Sequence, residues 1–263
     1  LTIKPNLIVP VGDVALKAIL PSAPSGITST RGFMFNSPWG KVLPIIHPSF
    51  VAHGNPEFWA ITVFDLSRVR EEANTRPIEY IKPNFVISPT VNQIGCLVSH
   101  LINTKSKFSF DIETIGREES INLVCIGIAY SHTEAMCIPL LKRGGYPYWD
   151  SSVEEEHVWQ FISDLLSSDC KKITQNGFTF DIPVLLDLGL KVEPPVTDTL
   201  VKHHVVATEL PHSLEFLTSI YAPKIQHYKT VVRTAGGMLW ADDKILREYN
   251  LWDGLATYIA DEE

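Results

Sequence analysis

Asp111 and Glu113 stand two apart at the end of the alternating run Lys107-Phe-Ser-Phe-Asp-Ile-Glu113. In a strand, positions two apart project to the same side, so the two carboxylates share a face. Paired oxygen donors of this kind suit a hard divalent cation. The same spacing also occurs in plain solvent-facing acidic pairs. Here Phe108, Phe110 and Ile112 mark a core strand, where unpaired carboxylates are costly. A second pattern is Arg247-Glu-Tyr-Asn-Leu-Trp-Asp253, in which Tyr249 and Asp253 stand four apart. One helical turn brings them to one face, and Leu246, Leu251, Leu255 and Ile259 give that helix a packed side. An amphipathic helix with a polar edge would read the same way. The third pattern is Gln175-Asn-Gly-Phe-Thr-Phe-Asp181-Ile-Pro-Val-Leu-Leu. Asn176 follows a short strand, and Asp181 enters an apolar helix near its N-terminus, where a carboxylate can also serve as a cap.

The elements that must position these residues are legible from periodicity. Lys107–Glu113 alternates as a strand, with Asn122 to Tyr130 and Ala135 to Leu140 as antiparallel neighbours. Val153 to Leu166 reads as a helix, Lys172 to Thr174 as a short strand and Phe180 to Leu188 as a helix; the remainder is mostly helical and finishes with Asp242 to Glu262. Three strands in a row followed by alternating helix and strand predict an α/β fold, a mixed sheet with flanking helices. Ahead of it, Asn6-Leu-Ile-Val-Pro-Val-Gly12 and Lys41-Val-Leu-Pro-Ile-Ile46 read as buried strands. Asp13 should cap a helix through Leu20, and residues 56–73 form another. The expected division is a smaller α/β segment over 1–80, a proline-containing linker over Thr75 to Pro89, and a domain over 84–263.

Bulk properties narrow the function classes. The 263 residues are 45% hydrophobic, enough for a real core, and hold no run of 18 apolar residues, which excludes a membrane-spanning helix. No basic region, apolar stretch and cleavage site of a signal peptide precede the first strand, and a cytoplasmic location (host cytoplasm if viral) is expected. Cys96, Cys125, Cys137 and Cys170 show neither zinc-knuckle nor disulfide spacing and read as reduced thiols. The net charge is −8; residues 1–80 carry seven Lys/Arg against six Asp/Glu, and residues 81–263 carry 15 against 24. That argues against a basic platform gripping duplex DNA. It leaves room for an anionic substrate that arrives after divalent cations neutralise a carboxylate-rich site. The chain begins at Leu1 and ends within an expected helix, which suggests a piece of a longer polypeptide.

Taken in order, Asp-x-Glu, then an Asn-containing turn leading to Phe-Asp, then Tyr-x-x-x-Asp resemble the DEDD exonucleases of ribonuclease H-like fold, in their tyrosine subclass. Thr197-Asp198-Thr199-Leu200 and Pro211-His212-Ser213-Leu214-Glu-Phe-Leu217 are similar to segments of the proofreading domain of family A DNA polymerases. The resemblance covers roughly residues 84–263. It implies a metal-dependent 3′→5′ exonuclease with Asp111, Glu113, Asp181, Tyr249 and Asp253 as catalytic residues. The four carboxylates would hold two Mg²⁺ or Mn²⁺ ions roughly 3.5–4 Å apart. Asp111 would bridge them, Glu113 and Asp253 would complete one site, and Asp181 would help hold the other. Tyr249 would orient the attacking water, since a phenol of pKa about 10 is a poor base at neutral pH. Thr114, Gln175 and Asn176 would line the terminal nucleotide. Many family A relatives separate the turn Asn from the Asp by four positions; here Asn176 and Asp181 are five apart, so the resemblance transfers Asp181 more directly than Asn176.

Residues 5–20, 40–50 and Phe64-Asp65-Leu66 resemble the C-terminal half of uracil-DNA glycosylases, in which a His-Pro-Ser loop (His47-Pro48-Ser49 here) contacts DNA around a flipped base. The upstream water-activating motif has no counterpart in this chain, which implies an inactive accessory segment. Some bacteriophage polymerases join such a segment, a proofreading exonuclease and a polymerase in that order. The implied partners are the 3′ end of single-stranded DNA and a DNA polymerase domain beyond Glu263, with no membrane. The competing readings are a ribonuclease D-like RNA exonuclease and a non-catalytic scaffold that binds DNA or a polymerase. The glycosylase-like neighbour points to DNA, and the intact acid set to catalysis.

Overall fold

The computed structural model describes residues 4–21, 23, 26–74, 77–116, 121–229 and 242–263. The chain divides into two compact units, Leu1–Ile81 with Val206–Thr230, and Lys82–Val205 with Val231–Glu263.

In the first unit, β1 (Leu7–Ile8) pairs in parallel with β3 (Gly40–Val42), and β2 (Phe35–Ser37) pairs antiparallel to β3. An isolated parallel bridge between Val11 and Ile45 continues the β1–β3 direction. Between them, α1 (Asp13–Ile19) lays Leu16 and Leu20 against Ile27 and Val42. Asp13 does not cap α1 as expected. It sits inside the first turn, after Gly12, and its Oδ1 accepts the Ile27 N–H at 2.7 Å at the start of α2 (Ile27–Thr30). The carboxylate therefore ties two helices rather than ending one. His47 caps α3 (Pro48–Ala52), its Nδ1 accepting the Ser49 N–H at 3.0 Å. The helix expected over 56–73 is α4 (Trp59–Asn74), entered through a short 3₁₀ turn.

The second unit is built on a six-stranded mixed sheet. After β4 (Asn84–Val86) and α5 (Val91–Thr104) come β5 (Phe108–Ile115), β6 (Asn122–Ala129) and β7 (Glu134–Pro139). A hairpin follows, β8 (Leu141–Lys142) and β9 (Tyr146–Pro147), then α6 (Ser152–Ser167), β10 (Lys172–Thr174), α7 (Asp181–Asp187), β11 (Val196–Asp198) and α8 (Thr199–Val206). The sheet runs β11-β10-β5-β6-β7-β4. Strands β5, β6 and β7 are antiparallel neighbours, while β10 is parallel to β5, β11 to β10, and β4 to β7. The stretch expected as linker thus contains a strand, β4, because its backbone groups find the open edge of β7. Thr75 and Arg76 lie outside the described residues.

Strand alternation explains the two faces. Phe108, Phe110 and Ile112 enter a core with Ile94, Leu97 and Leu101 of α5 and Val158, Ile162 and Leu165 of α6. The opposite side of β5 carries Ser109, Asp111 and Glu113, and the closing helix α10 (Asp243–Glu262) lies across it. Small residues let that helix approach. Ser109 Oγ donates to the Gly254 carbonyl at 2.6 Å, and Gly254 faces Ala129. Helix α9 (Leu214–Tyr221) belongs to the first unit, although the sequence pattern assigns 84–263 to one domain. The four cysteines are free; Cys125, Cys137 and Cys170 are buried and Cys96 is exposed. Among the described residues no helix is long and apolar enough to cross a membrane.

Candidate active site

Three separate stretches of chain, β5, the start of α7 and the middle of α10, bring the five expected catalytic residues into each other's electrostatic reach. The Asp111 carboxyl is held well above the usual carboxylate range by burial first, and then by the charges of Asp181, Asp253 and Glu113. Tyr249 is likewise pushed up, by burial, by Asp253 (as a charge and as the acceptor of its hydroxyl), and by Glu113 and Asp111. Asp111 and Tyr249 thus respond to charges contributed from elements far apart in sequence. The phenol stays neutral across the whole working range of pH, which fits an orienting hydrogen-bond donor and not a base.

Asp181 is the first residue of α7, buried to 4% exposure. Its Oδ1 accepts the Ile112 main-chain N–H at 3.0 Å, so the helix start is pinned to β5 between the two strand carboxylates. Burial raises its carboxyl to about 6, against the lowering effect of backbone hydrogen bonds; Asp198 and Asp253 add to the rise. Asp253 is 7% exposed on the sheet-facing side of α10. Between Glu113 and Thr114 the β5–β6 register shifts, and Thr114 follows the bulge on the half-buried end of the strand. Such a bulge re-aims side chains where pairing ends.

The sequence reading missed Asn250. It is fully buried on α10, and its Nδ2 donates to Asp111 at the main-chain oxygen (3.0 Å) and at Oδ2 (2.8 Å). This amide favours the charged form of Asp111. Space for it comes from Gly127, directly opposite Asp111 in the β5–β6 register, where any Cβ would collide with the Asn250 amide. Asn250 sits next to Tyr249 in sequence, but nothing in the pattern distinguishes it from a surface polar residue. Only the strand register reveals it.

Gln175 and Asn176 gather around the end of β11. The Asn176 N–H donates to Asp198 Oδ1 at 2.9 Å, and the Thr199 hydroxyl meets Gln175 Oε1. Asn176 takes φ 60°, the left-handed region that Asn tolerates better than most residues. Its Oδ1 accepts the Thr179 hydroxyl at 2.6 Å. The five-residue spacing between Asn176 and Asp181 is absorbed in this turn.

Among the described residues, no group of three or more His, Cys, Asp and Glu side chains is gathered closely enough to hold a metal ion as the side chains stand. Asp111 spends an oxygen on the Asn250 amide and Asp181 one on the Ile112 N–H. An ionised carboxylate offers about four lone-pair directions, so those bonds leave oxygens for a cation. The donor chemistry fits hard divalent ions: all the donors are carboxylate oxygens, and at Asp111 burial and the charges of Asp181, Asp253 and Glu113 oppose ionisation, a cost that a cation would offset.

No family model matches the chain. Over 153 residues it is 29% identical to DNA polymerase I of Borreliella burgdorferi, a match covering 57% of this chain and 16% of that protein, so the chain spans about one sixth of the relative's length. Among solved structures it is similar to the apo form of a nuclease (16% identity, TM-score 0.47, covering 69% of this chain and 78% of that one). It is also similar to Brucella melitensis NrnC with bound Mg²⁺ (18%, 0.44, covering 70% and 79%). A third likeness is to the catalytic core of RRP6 from Trypanosoma brucei (15%, 0.41, covering 72% and 54%).

Proposed function

We propose that the second unit is a metal-dependent 3′→5′ exonuclease of ribonuclease H-like fold that removes nucleoside 5′-monophosphates from single-stranded DNA ends, as the proofreading part of a DNA polymerase. The observation that carries this reading is the convergence of β5, the start of α7 and the middle of α10, which carry Asp111, Glu113, Asp181, Tyr249 and Asp253 and are tied together by the Ile112 N–H to Asp181 and the Asn250 amide to Asp111. The 29% identity to a segment of DNA polymerase I supports DNA as the substrate and a polymerase as the partner.

In this reading Asp111, Glu113, Asp181 and Asp253 hold two Mg²⁺ or Mn²⁺ ions. When bound, these ions offset the phosphodiester charge and polarise its oxygens. The chain's own residues supply position. Asn250 fixes the Asp111 carboxylate by its amide, and Ile112 fixes Asp181 by its N–H. The neutral Tyr249 hydroxyl, aligned by Asp253, orients the water that attacks phosphorus. Thr114, Gln175 and Asn176 receive the terminal nucleotide, and a frayed end reaches them more readily than a paired one. The first unit, with its parallel β1–β3 pair leading to the His47-Pro48-Ser49 turn, serves as a glycosylase-like accessory without excision activity.

The test is digestion of 5′-labelled single-stranded DNA and matched RNA in Mg²⁺, Mn²⁺ and EDTA. Stepwise shortening of DNA from the 3′ end, abolished by EDTA and by Asp111→Ala or Asp253→Ala, is expected. Undiminished digestion by both variants would sink the assignment, and preference for RNA would move it to a ribonuclease D-like enzyme.

A further inference from the structure

Asp198 makes an arrangement that the exonuclease reading does not use. It ends β11 and is 3% exposed. Its carboxylate accepts three main-chain N–H groups: Asn176 at 2.9 Å and Leu200 at 2.9 Å through Oδ1, and Phe178 at 3.2 Å through Oδ2. Two of these donors lie on the turn between β10 and α7. The neighbouring Thr199 hydroxyl reaches the Thr174 carbonyl at 3.2 Å and the Gln175 side chain. Gly177 completes the arrangement, because a Cβ there would collide with the Thr174 side chain. The turn therefore lies flat against β10, fastened before and after Gly177.

Burying a carboxylate costs free energy unless donors satisfy it, and charge-assisted bonds to N–H groups are the strong ones. Two of the three are spent on one short turn and fix its geometry. The turn leads straight into Asp181 and presents Phe178 with 48% of its surface exposed. An exposed aromatic is by itself ordinary on a protein surface, and Phe180 beside it is 42% exposed as well. Phe178 stands three residues before Asp181 on a turn whose backbone Asp198 fixes, so its ring is carried next to the helix start that bears that carboxylate. Aromatic faces stack nucleobases with little regard to sequence.

We propose that Asp198 is a positioning residue that holds the Gln175–Phe178 turn as a ledge, and that Phe178 on this ledge stacks a base of the single strand entering the carboxylate site. The inference rests on the nucleic-acid reading of that site and names a binding group for it.

The experiment compares the 263-residue wild type, Phe178→Ala, Phe178→Trp, Asp198→Asn and the double variant Phe178→Ala/Asp198→Asn. Substrates are a dT oligonucleotide and the same strand with abasic residues at its last positions. Phe178→Ala should raise KM on the natural strand by about 5- to 100-fold, the range for losing one stacked base. On the abasic strand it should change KM by less than about twofold, and Phe178→Trp should restore wild-type KM. Asp198→Asn keeps an acceptor oxygen for two donors and turns an amide toward the third; it should raise KM with kcat within about threefold. The double variant should be no worse than the larger single effect, since both act through one turn. Asp198→Asn that lowers melting temperature and active fraction but leaves KM unchanged would show a merely structural carboxylate and overturn its positioning role. Equal losses by Phe178→Ala on natural and abasic strands would overturn the stacking. Anisotropy of fluorescein-labelled dT oligonucleotide in EDTA reads the same comparison without turnover. If wild type binds the strand but digests nothing, the exonuclease reading has failed while Phe178 is still judged by its binding; equal binding by wild type and Phe178→Ala would overturn the inference.

Discussion

Asn250 donates its amide to the Asp111 carboxylate from a fully buried position on α10. Groups that orient a metal-binding carboxylate typically contribute about 10- to 100-fold in metal affinity or activity. Asn250→Ala should therefore raise the Mn²⁺ concentration for half-maximal digestion by about that factor; an unchanged metal titration would remove Asn250 from the site. A second residue-level consequence concerns Asp181, whose carboxyl burial pushes up to about 6 from an ordinary 3.8. Between those values the folded chain keeps a proton that the unfolded chain has released, so this group makes stability fall as pH rises through the window. Asp111 is shifted in the same sense. In EDTA, Asp181→Asn should gain melting temperature over wild type at pH 7.5 and lose that advantage near pH 4. A difference that stays flat from pH 4 to 7.5 would show that Asp181 is not strained in its charged form. Saturating Mg²⁺ should raise wild type at pH 7.5 and raise Asp181→Asn by less, since only one of the two ion sites keeps its full set of carboxylates.

At the scale of elements, the site depends on how closely α10 lies over β5 and β6. Gly127 stands opposite Asp111, and its missing Cβ is the space Asn250 occupies. Gly127→Ala should cost about 1–3 kcal/mol through overpacking and displace the amide from Asp111. Thermal melts together with the metal titration check both effects; a variant with wild-type stability and wild-type metal demand would mean that the helix gives way freely. This dependence also explains what was readable in the sequence. Alternation exposed β5 with its Phe108-Phe110-Ile112 face, and helical spacing exposed the Tyr249–Asp253 pair, because both periodicities are local. Asn250, Gly127 and the anchoring role of Asp198 depend on which strand lies beside which, and no short-range pattern carries that. Strands β4 and β11 escaped notice for a related reason. Each is three residues long and edges the sheet, so pairing rather than composition defines it.

For the whole molecule, the informative segment is Val206–Thr230, which falls between elements of the second unit in sequence yet belongs to the first. Its Ser219 hydroxyl accepts from Arg31 at 2.8 Å, and its main-chain oxygen accepts from Arg68 at 3.1 Å. Arg31 is in turn paired with Asp65, Nε to Oδ2 at 2.6 Å, with both side chains almost wholly buried. Phe216 and Leu217 of α9 pack on Ile61, and His227 meets Phe33 edge-on at 4.8 Å. Asp65→Ala would leave two guanidinium groups buried with less to balance them, a loss of about 3–5 kcal/mol for a broken buried pair. A fragment starting at Lys82 would meet a worse problem. It keeps α9 but loses every residue that covers Phe216 and Leu217 from the N-terminal side, exposing an apolar patch. Residues 82–263 produced alone should aggregate or fail to accumulate, and co-production with residues 1–81 should restore a soluble complex. A monomeric, nuclease-active 82–263 fragment would show that the first unit is dispensable. Deleting Val206–Thr230 as well, with a short flexible joint in its place, separates the two causes: recovery of solubility would trace the defect to the stripped α9 and not to the sheet that carries the carboxylates.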